Sequence, residues 1–394
     1  MRYPRRVAVT GLGVVAHCGI GVEAFWNGLL APGPGDVPRV IDGWDPSPYF
    51  DNAKDARRAD RYTQFAMAAA AEALADAGDI GADPARCGVL IGTGVGGLGT
   101  LEEQIVIRHE KGDRRVSPFL VPMMMANAAA ASVSMRHGWQ GPCEATVTAC
   151  AAGTHSIGNA ARLIMMGLCD AVLAGGSEAA ITPTSMAGFA NMTALSTSGW
   201  SRPFDSRRDG FVMAEAAGVI VLEEWDAAVA RGATIYAELL GSASTADAHH
   251  ITAPAPGGSG AVRCMELAIH DAGLRSEDIR HINAHGTSTP LNDAAEAEAI
   301  TKVFGGPGPI VTSTKGVTGH ALGAAGAIEA VALALSIQRS LIPPTRGTSA
   351  ATLDPDVHID LVLETARSWT PGPSLSNSFG FGGHNGTIVM APAS

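Results

Sequence analysis

The stretch Ala145-Thr-Val-Thr-Ala-Cys150-Ala-Ala-Gly-Thr-His155-Ser-Ile-Gly-Asn-Ala160-Ala-Arg-Leu-Ile-Met-Met-Gly167 decides how the rest of the chain is read. Thr146 to Thr148 is β-branched and predicts a strand. Beyond Cys150, the residues Ile157, Ala160, Ala161, Ile164 and Met165 recur at helical spacing. Apolar residues lie all round this segment, which predicts a buried helix. Cys150 then stands where a buried strand turns into a buried helix. Backbone N–H groups at a helix start carry partial positive charge, which favours a thiolate and can hold an oxyanion. A packed apolar cysteine reads equally well from this stretch alone, because a nucleophile also needs a base and a substrate path.

Three later stretches pair a strand with an unusual polar turn: His281-Ile-Asn-Ala-His285-Gly-Thr-Ser-Thr289, Val311-Thr-Ser-Thr-Lys315-Gly-Val-Thr-Gly-His320, and Ser376-Asn-Ser-Phe-Gly-Phe381-Gly-Gly-His-Asn385. Each sets polar groups just beyond a strand end, where open α/β sheets build their sites. A small-residue helix, Ala321 to Ala334, follows the second. Upstream, Arg6–Thr10 and Val89–Leu98 read as strands running into glycine turns, and Phe65–Ala77 and Met123–Ala131 as helices. Ala171–Glu178 is another strand and turn that nearly makes the hydrolase elbow G-x-S-x-G. Ala179 stands in place of its last glycine, which demotes a serine hydrolase. Gly11-Leu-Gly13-Val-Val-Ala16 is a weak dinucleotide fingerprint. The acidic strand end it requires about 20 residues on is replaced by the loop Ala31-Pro-Gly-Pro-Gly-Asp-Val-Pro38. Around Trp225 to Tyr236 the chain crosses into a second set of strands and helices without a Pro/Ser-rich linker. Two similar α/β halves, 1–240 and 241–394, sharing one core are expected.

Composition bounds the function. With 394 residues, 46% hydrophobic and 16% charged, the chain is globular, and 48 glycines with 23 prolines imply many tight turns. A net charge of −11 argues against nucleic acid as the main partner. Two arginine clusters, Arg57, Arg58 and Arg61, then Arg114 and Arg115, are local exceptions that read either as solvated helix ends or as a docking face for an acidic partner. The six cysteines form no C-x-x-C pair, which fits a reducing cytoplasm and no zinc site. No uncharged apolar run reaches the ~18 residues of a membrane span.

Taken together, Thr-Ala-Cys150, Asn-Ala-His285-Gly-Thr-Ser-Thr289, Lys315 with Gly-His320, and Asn377-Ser-Phe-Gly-Phe381-Gly-Gly resemble the elongating β-ketoacyl-ACP synthases (type II) of the thiolase-fold superfamily, from Val7 to Val389. Thiolases carry a second cysteine, and initiating synthases an Asn in place of one His. The resemblance implies a layered αβαβα fold and a decarboxylative Claisen condensation. Cys150 takes the acyl group, His285 and His320 bind the malonyl thioester carbonyl, and the amides of Cys150 and Phe381 form an oxyanion hole. It implies that Lys315 pairs with Glu296, and that Phe381 gates an acyl pocket built from Val95 and Phe189. Phe119 and Leu120 close that pocket from a partner subunit. Thr287 and Thr289 bind phosphopantetheine, which arrives on acyl carrier protein, and no cofactor is required. Asn283, Glu329, Ser376 and Asn377 match a buried monovalent-cation site of some members. The arginines at 57, 58, 61, 114 and 115 become a carrier-protein face. Ala151 and Ala152 after the nucleophile, His384, Phe211–Gly218 and a short loop Leu195–Pro203 depart from the family pattern. They leave fatty acid elongation, a type II polyketide ketosynthase, and a homodimer or a heterodimer with a chain-length-factor-like subunit as alternatives. A non-catalytic partner of that kind is disfavoured by the intact Cys-His-His set.

Overall fold

The computed structural model describes residues 4–31, 38–306 and 308–393, so most of the loop expected at 31–38 lies outside the described residues. At its centre is a twelve-stranded mixed sheet. Ten strands position the site: β1 (Val7–Ala16), β2 (Cys87–Gly92), β3 (Cys143–Glu144), β4 (Ala171–Glu178), β5 (Ala216–Glu224), β6 (Ala237–Ala246), β7 (His281–Asn283), β8 (Ile310–Thr312), β9 (Ser374–Gly380) and β10 (His384–Ala391). In space the first five run β1-β5-β4-β2-β3 and the last five run β6-β10-β9-β7-β8. Outward from β1 the pairings are antiparallel, antiparallel, parallel and parallel. Outward from β6 the same sequence of pairings recurs. The chain is therefore two copies of one α/β unit, joined where β1 pairs antiparallel with β6 at Ala8–Glu238 and Val9–Ala237. The repeat starts at Ala237, so a division after residue 240 cuts through β6.

Five helices fill the layers: α1 (Arg61–Ala77), α2 (Ala152–Met165), α3 (Ser259–Asp271), α4 (Pro290–Phe304) and α5 (Ala325–Arg339). α1 covers β1 and β5, and α3 covers β6 and β10. Between them lie α2 and α5, each touching strands of both halves, which completes the αβαβα order. This explains why both central helices are largely buried, α2 showing only Asn159, Arg162 and Leu163 toward solvent, and why β1, β2, β4 and β5 are buried runs without polar alternation. The segment Leu322–Arg339 is long and apolar enough to cross a membrane, but 89% of it is buried inside the protein. The small residues have a specific use at the crossing of α2 and α5. A Cβ on Gly153 would lie 2.8 Å from Ala327 N, and one on Gly326 would lie 2.0 Å from Thr154 Oγ1. The first turns of the two helices thus meet backbone to backbone.

Several local expectations shift. Thr146–Thr148 is not a laddered strand; β3 lies just before it, and Thr146 O accepts from Thr93 N at 3.1 Å. Met123–Ala131 is not one helix, because Leu120–Met124 and Ala128–His137 are separate. α1 begins earlier than Phe65, at Arg61, because the Asp60 side chain caps it by accepting from Tyr62 N. A single 3₁₀ turn, Leu322–Ala324, precedes α5.

Candidate active site

Cys150 sits in the 3₁₀ turn Ala149–Ala151 that leads into α2, and is 7% exposed. Ala149 holds a left-handed φ of 50°, the conformation of a turn fixed by its surroundings. Gly380, at the end of β9, permits the turn to press against that strand: a Cβ there would lie 3.0 Å from Thr148 O and 3.1 Å from Cys150 N. The next residue, Phe381, donates its amide to the sulfur. Burial pushes the Cys150 thiol up to about 12, against the pull of the Lys315 charge and the Phe381 amide. Desolvation thus opposes the thiolate that the helix start favours.

His320 Nε2 lies 3.1 Å from Cys150 Sγ. Backbone bonds fix its turn: His320 N donates to Val212 O, and His320 O accepts from Ala214 N. The His285 ring packs edge-on to His320, with centroids 5.3 Å apart at 85°. Burial first, then the Lys315 charge, drives both imidazoles well below the ordinary histidine range, so both are neutral. Lys315 Nζ is 3.4 Å from His285 Nδ1, which makes Nδ1 the acceptor and leaves the proton on Nε2.

The expected Lys315–Glu296 pair does not form. Lys315 is ion-paired with Glu329 on α5, both side chains being 1% exposed. Glu296, on α4, instead accepts the amides of His285 at 2.8 Å and Gly286 at 2.7 Å, and so shapes the turn that carries His285. Burial pushes both glutamates up to about 7. The four residues of the expected cation site spend polar atoms on their neighbours. Asn283 Nδ2 donates to Ser376 Oγ at 3.3 Å, Asn377 Oδ1 accepts from Thr387 Oγ1 at 2.8 Å, and Glu329 Oε1 meets Lys315.

Cys150, His285 and His320 open on one cavity of about 550 Å³, which Val95, Phe189, Phe381, Thr287 and Thr289 also line. Thr287 and Thr289 share a hydrogen bond of 2.9 Å between their hydroxyls. Phe119 and Leu120 do not line this cavity; they are half-buried elsewhere, with Arg58 stacked 4.0 Å above the Phe119 ring. Of the arginine clusters, Arg57, Arg58, Arg114 and Arg115 are exposed. Arg61 is not part of a free docking face, because it is held by Glu215 at 2.8 Å and by Ile41 O at 2.6 Å. Two lining aromatics were not singled out as site residues from the sequence. Phe211 stacks edge-on against both His320 and Phe189, and Phe379 lies 5.8 Å from His285. For Phe379 the signal was present, since it lies inside the Asn-Ser-Phe-Gly-Phe run; for Phe211 no chemical pattern marks it.

Comparison with known proteins agrees with this geometry. Residues 35–228 match the family Beta-ketoacyl synthase, N-terminal domain, and residues 236–349 match Beta-ketoacyl synthase, C-terminal domain. A 3-oxoacyl-[acyl-carrier-protein] synthase 2 of Synechocystis sp. is 45% identical over 411 residues, covering 98% of each chain. The ishigamide ketosynthase/chain length factor superposes with a TM-score of 0.91 at 31% identity, covering 99% of this chain and 100% of that one. The ketosynthase AntDE, solved with the acyl carrier protein AntF of a type II polyketide synthase, gives a TM-score of 0.88 at 34% identity, covering 99% of this chain and 100% of that one.

Proposed function

The chain belongs to the beta-ketoacyl synthase family, and from that premise we propose how its own residues perform the condensation. It is an acyltransferase, a 3-oxoacyl-[acyl-carrier-protein] synthase of fatty acid elongation. His320 Nε2 takes the Cys150 proton as the sulfur attacks the thioester carbonyl of acyl-ACP. The carrier's thiol leaves with a proton, and the acyl group stays on Cys150. The amides of Cys150 and Phe381 hold the oxyanion. Malonyl-ACP then enters past Thr287 and Thr289. Its C–CO₂ bond breaks, carbon dioxide leaves, and the electron pair forms an enolate. The Nε2–H groups of His285 and His320 donate to that oxygen, His320 having kept the Cys150 proton on Nε2 and yielded its Nδ1 proton to the departing carrier thiolate. A neutral donor suits this step because it stabilises developing charge without surrendering a proton to the carbanion. The carbanion attacks the acyl carbonyl on Cys150, a carbon–carbon bond forms, and the sulfur leaves as thiolate. The 3.1 Å approach of His320 to Cys150, beside a second neutral imidazole in the same cavity, carries this reading.

Phe381, between Gly380 and Gly382, gates the cavity. The exposed Arg57, Arg58, Arg114 and Arg115 receive the acidic carrier protein. A dimer completes the cavity. Val95 lines it yet is 49% exposed in one chain, Val147 just after the edge strand β3 is exposed, and so is Val121 in the short helix Leu120–Met124. A second copy pairing along that edge would bring Phe119 and Leu120 to its neighbour's cavity. The similarity to ketosynthases solved with a chain length factor keeps a heterodimeric polyketide role as the second reading. Glu329 Oε2 lacks a hydrogen-bond partner among the described residues, and this oxygen with Asn283, Ser376 and Asn377 is of the chemistry that a monovalent cation takes. The central test is intact-protein mass after incubation with acyl-ACPs of several lengths, each followed by malonyl-ACP. An acyl adduct on Cys150 that malonyl-ACP discharges is expected. Adduct formation on a Cys150→Ala variant would overturn the assignment.

A further inference from the structure

One buried carboxyl group lies beside this site and takes no part in the chemistry above. Glu178 ends β4, is fully buried, and has no cationic partner in any ion pair among the described residues. Its carboxylate is held entirely by neutral donors. Oε1 accepts from Thr93 Oγ1 at 3.0 Å, and Oε2 accepts from Gly94 N at 2.6 Å and Gly323 N at 3.0 Å. The amide of Val95 also donates to it. Its two oxygens thus face four donors, and an amide side chain would bring an NH₂ group into the same nest. Burial pushes this group up to about 7, and a buried carboxyl group is costly unless its oxygens are hydrogen-bonded, so the contacts it makes specify its position.

Those contacts join two walls of the cavity. Gly94 and Val95 form one, and Leu322, next to Gly323, forms the other, at the exit of the His320 turn. The walls touch closely: a Cβ on Gly323 would lie 2.2 Å from Gly94 N, and one on Gly94 would lie 2.7 Å from Glu178 Oε2. Leu322 holds a left-handed φ of 45°, a conformation a leucine keeps only when its neighbours impose it.

We propose that Glu178 is a positioning residue that sets the width of the acyl channel by clamping the Gly94–Val95 wall to the Leu322–Gly323 turn. The proposal rests on the condensing reading of the site. An acetyl group on Cys150 ends close to the sulfur, whereas a long acyl chain extends into the cavity that Val95 and Leu322 line. Loss of the clamp therefore acts on long chains selectively.

The test compares wild type, Glu178→Gln and the milder Thr93→Val, which removes one hydroxyl donor and keeps the carboxylate. Kinetics are read with acetyl-ACP and with the longest acyl-ACP the wild type accepts, together with the rate of Cys150 alkylation by iodoacetamide. For Glu178→Gln, kcat/KM for the long chain is expected to fall at least tenfold further than for acetyl, mostly through KM, with alkylation within twofold of wild type. Thr93→Val is expected to shift the same ratio in the same direction by a smaller factor, and decides the matter if Glu178→Gln does not fold. Equal losses for both chain lengths, or an unchanged ratio in Thr93→Val, would overturn the proposal. A wild type that loads no acyl-ACP would refute the condensing reading instead.

Discussion

Gly326→Ala adds a single methyl group where the fold and the chemistry meet. Its Cβ would lie 2.0 Å from Thr154 Oγ1, 2.7 Å from Ser378 Oγ and 2.9 Å from Thr154 N. Ordinary contacts at carbon begin near about 3.5 Å. Rotation of Thr154 relieves the first clash but gives up its 2.7 Å hydrogen bond to Ser378 Oγ. The clash with the backbone nitrogen remains, and only movement of α5 away from α2 relieves it. Overpacking of this kind costs about 1–3 kcal/mol. The same movement matters more for rate than for stability. α2 begins at Ala152, just after Cys150, and α5 at Ala325, just after the His320 turn, so separating them lengthens the 3.1 Å Sγ–Nε2 approach. A misplacement of about 1 Å costs roughly 100-fold in rate. Single-turnover condensation on acyl-loaded enzyme, with thermal unfolding alongside, reads both effects. The expected result is a modest loss of Tm and a loss of condensation near two orders of magnitude. Adding Thr154→Ala removes the hydroxyl clash and is expected to restore part of the rate but not all of it. A Gly326→Ala enzyme that loses stability yet condenses at the wild-type rate would refute the link between helix spacing and site geometry.

Other outcomes follow from the same geometry. Cys150→Ala is expected to abolish condensation while release of carbon dioxide from malonyl-ACP persists, because the two imidazoles remain; loss of both activities together would place the decarboxylation machinery elsewhere. Both histidines titrate well below the ordinary range, so no acid limb of theirs is expected in the wild-type decarboxylation rate near the ordinary histidine pKa of about 6.5, and a limb near pH 7 would report Glu296 or Glu329, which burial pushes up to about 7. Lys315→Met removes a charge that depresses both imidazoles, so its acid limb is expected at higher pH than the wild-type limb; an unmoved limb in a pH–rate profile would count against that role. Arg57→Glu combined with Arg114→Glu is expected to raise KM for acyl-ACP about tenfold with kcat unchanged, and about 0.5 M salt is expected to erase the difference. A KM that does not move would remove these arginines from the docking face.

What the sequence conveyed, and what it withheld, divides along a physical line. Motif residues next to strand ends were legible because local chain geometry alone puts them there, and Cys150, His285 and His320 do converge on one cavity. Partner choice was not legible. Glu296 and Glu329 both stand on helices that follow the histidine turns, and only packing gives the first to backbone amides and the second to Lys315. Arg61 reads as a surface charge in sequence, yet the Asp60 cap starts α1 there and turns its guanidinium onto Glu215. The desolvation that opposes a thiolate at Cys150 was hidden for a related reason, since a helix start is visible in sequence whereas the degree of burial is a property of the whole fold.

The internal duplication explains why these separate stretches meet at all. In the first half β3 is followed by the Cys150 turn and α2; at the matching place in the second half β8 is followed by the Lys315–His320 turn and α5. Cys150 and His320 therefore head equivalent helices, and the glycine-lined crossing of α2 and α5 brings the two heads together. The turn after β2 supplies Gly94 and Val95, and its counterpart after β7 supplies His285. The end of β4 supplies Glu178, and its counterpart at the end of β9 supplies Phe381. One half thus contributes the nucleophile and the clamped wall of the cavity, and the other contributes both imidazoles and the gate. Repeating a unit that points its strand ends inward gives a buried site with six approaching turns. Divergence between the copies then lets the chemistry be divided among them without any loop having to leave its place in the fold.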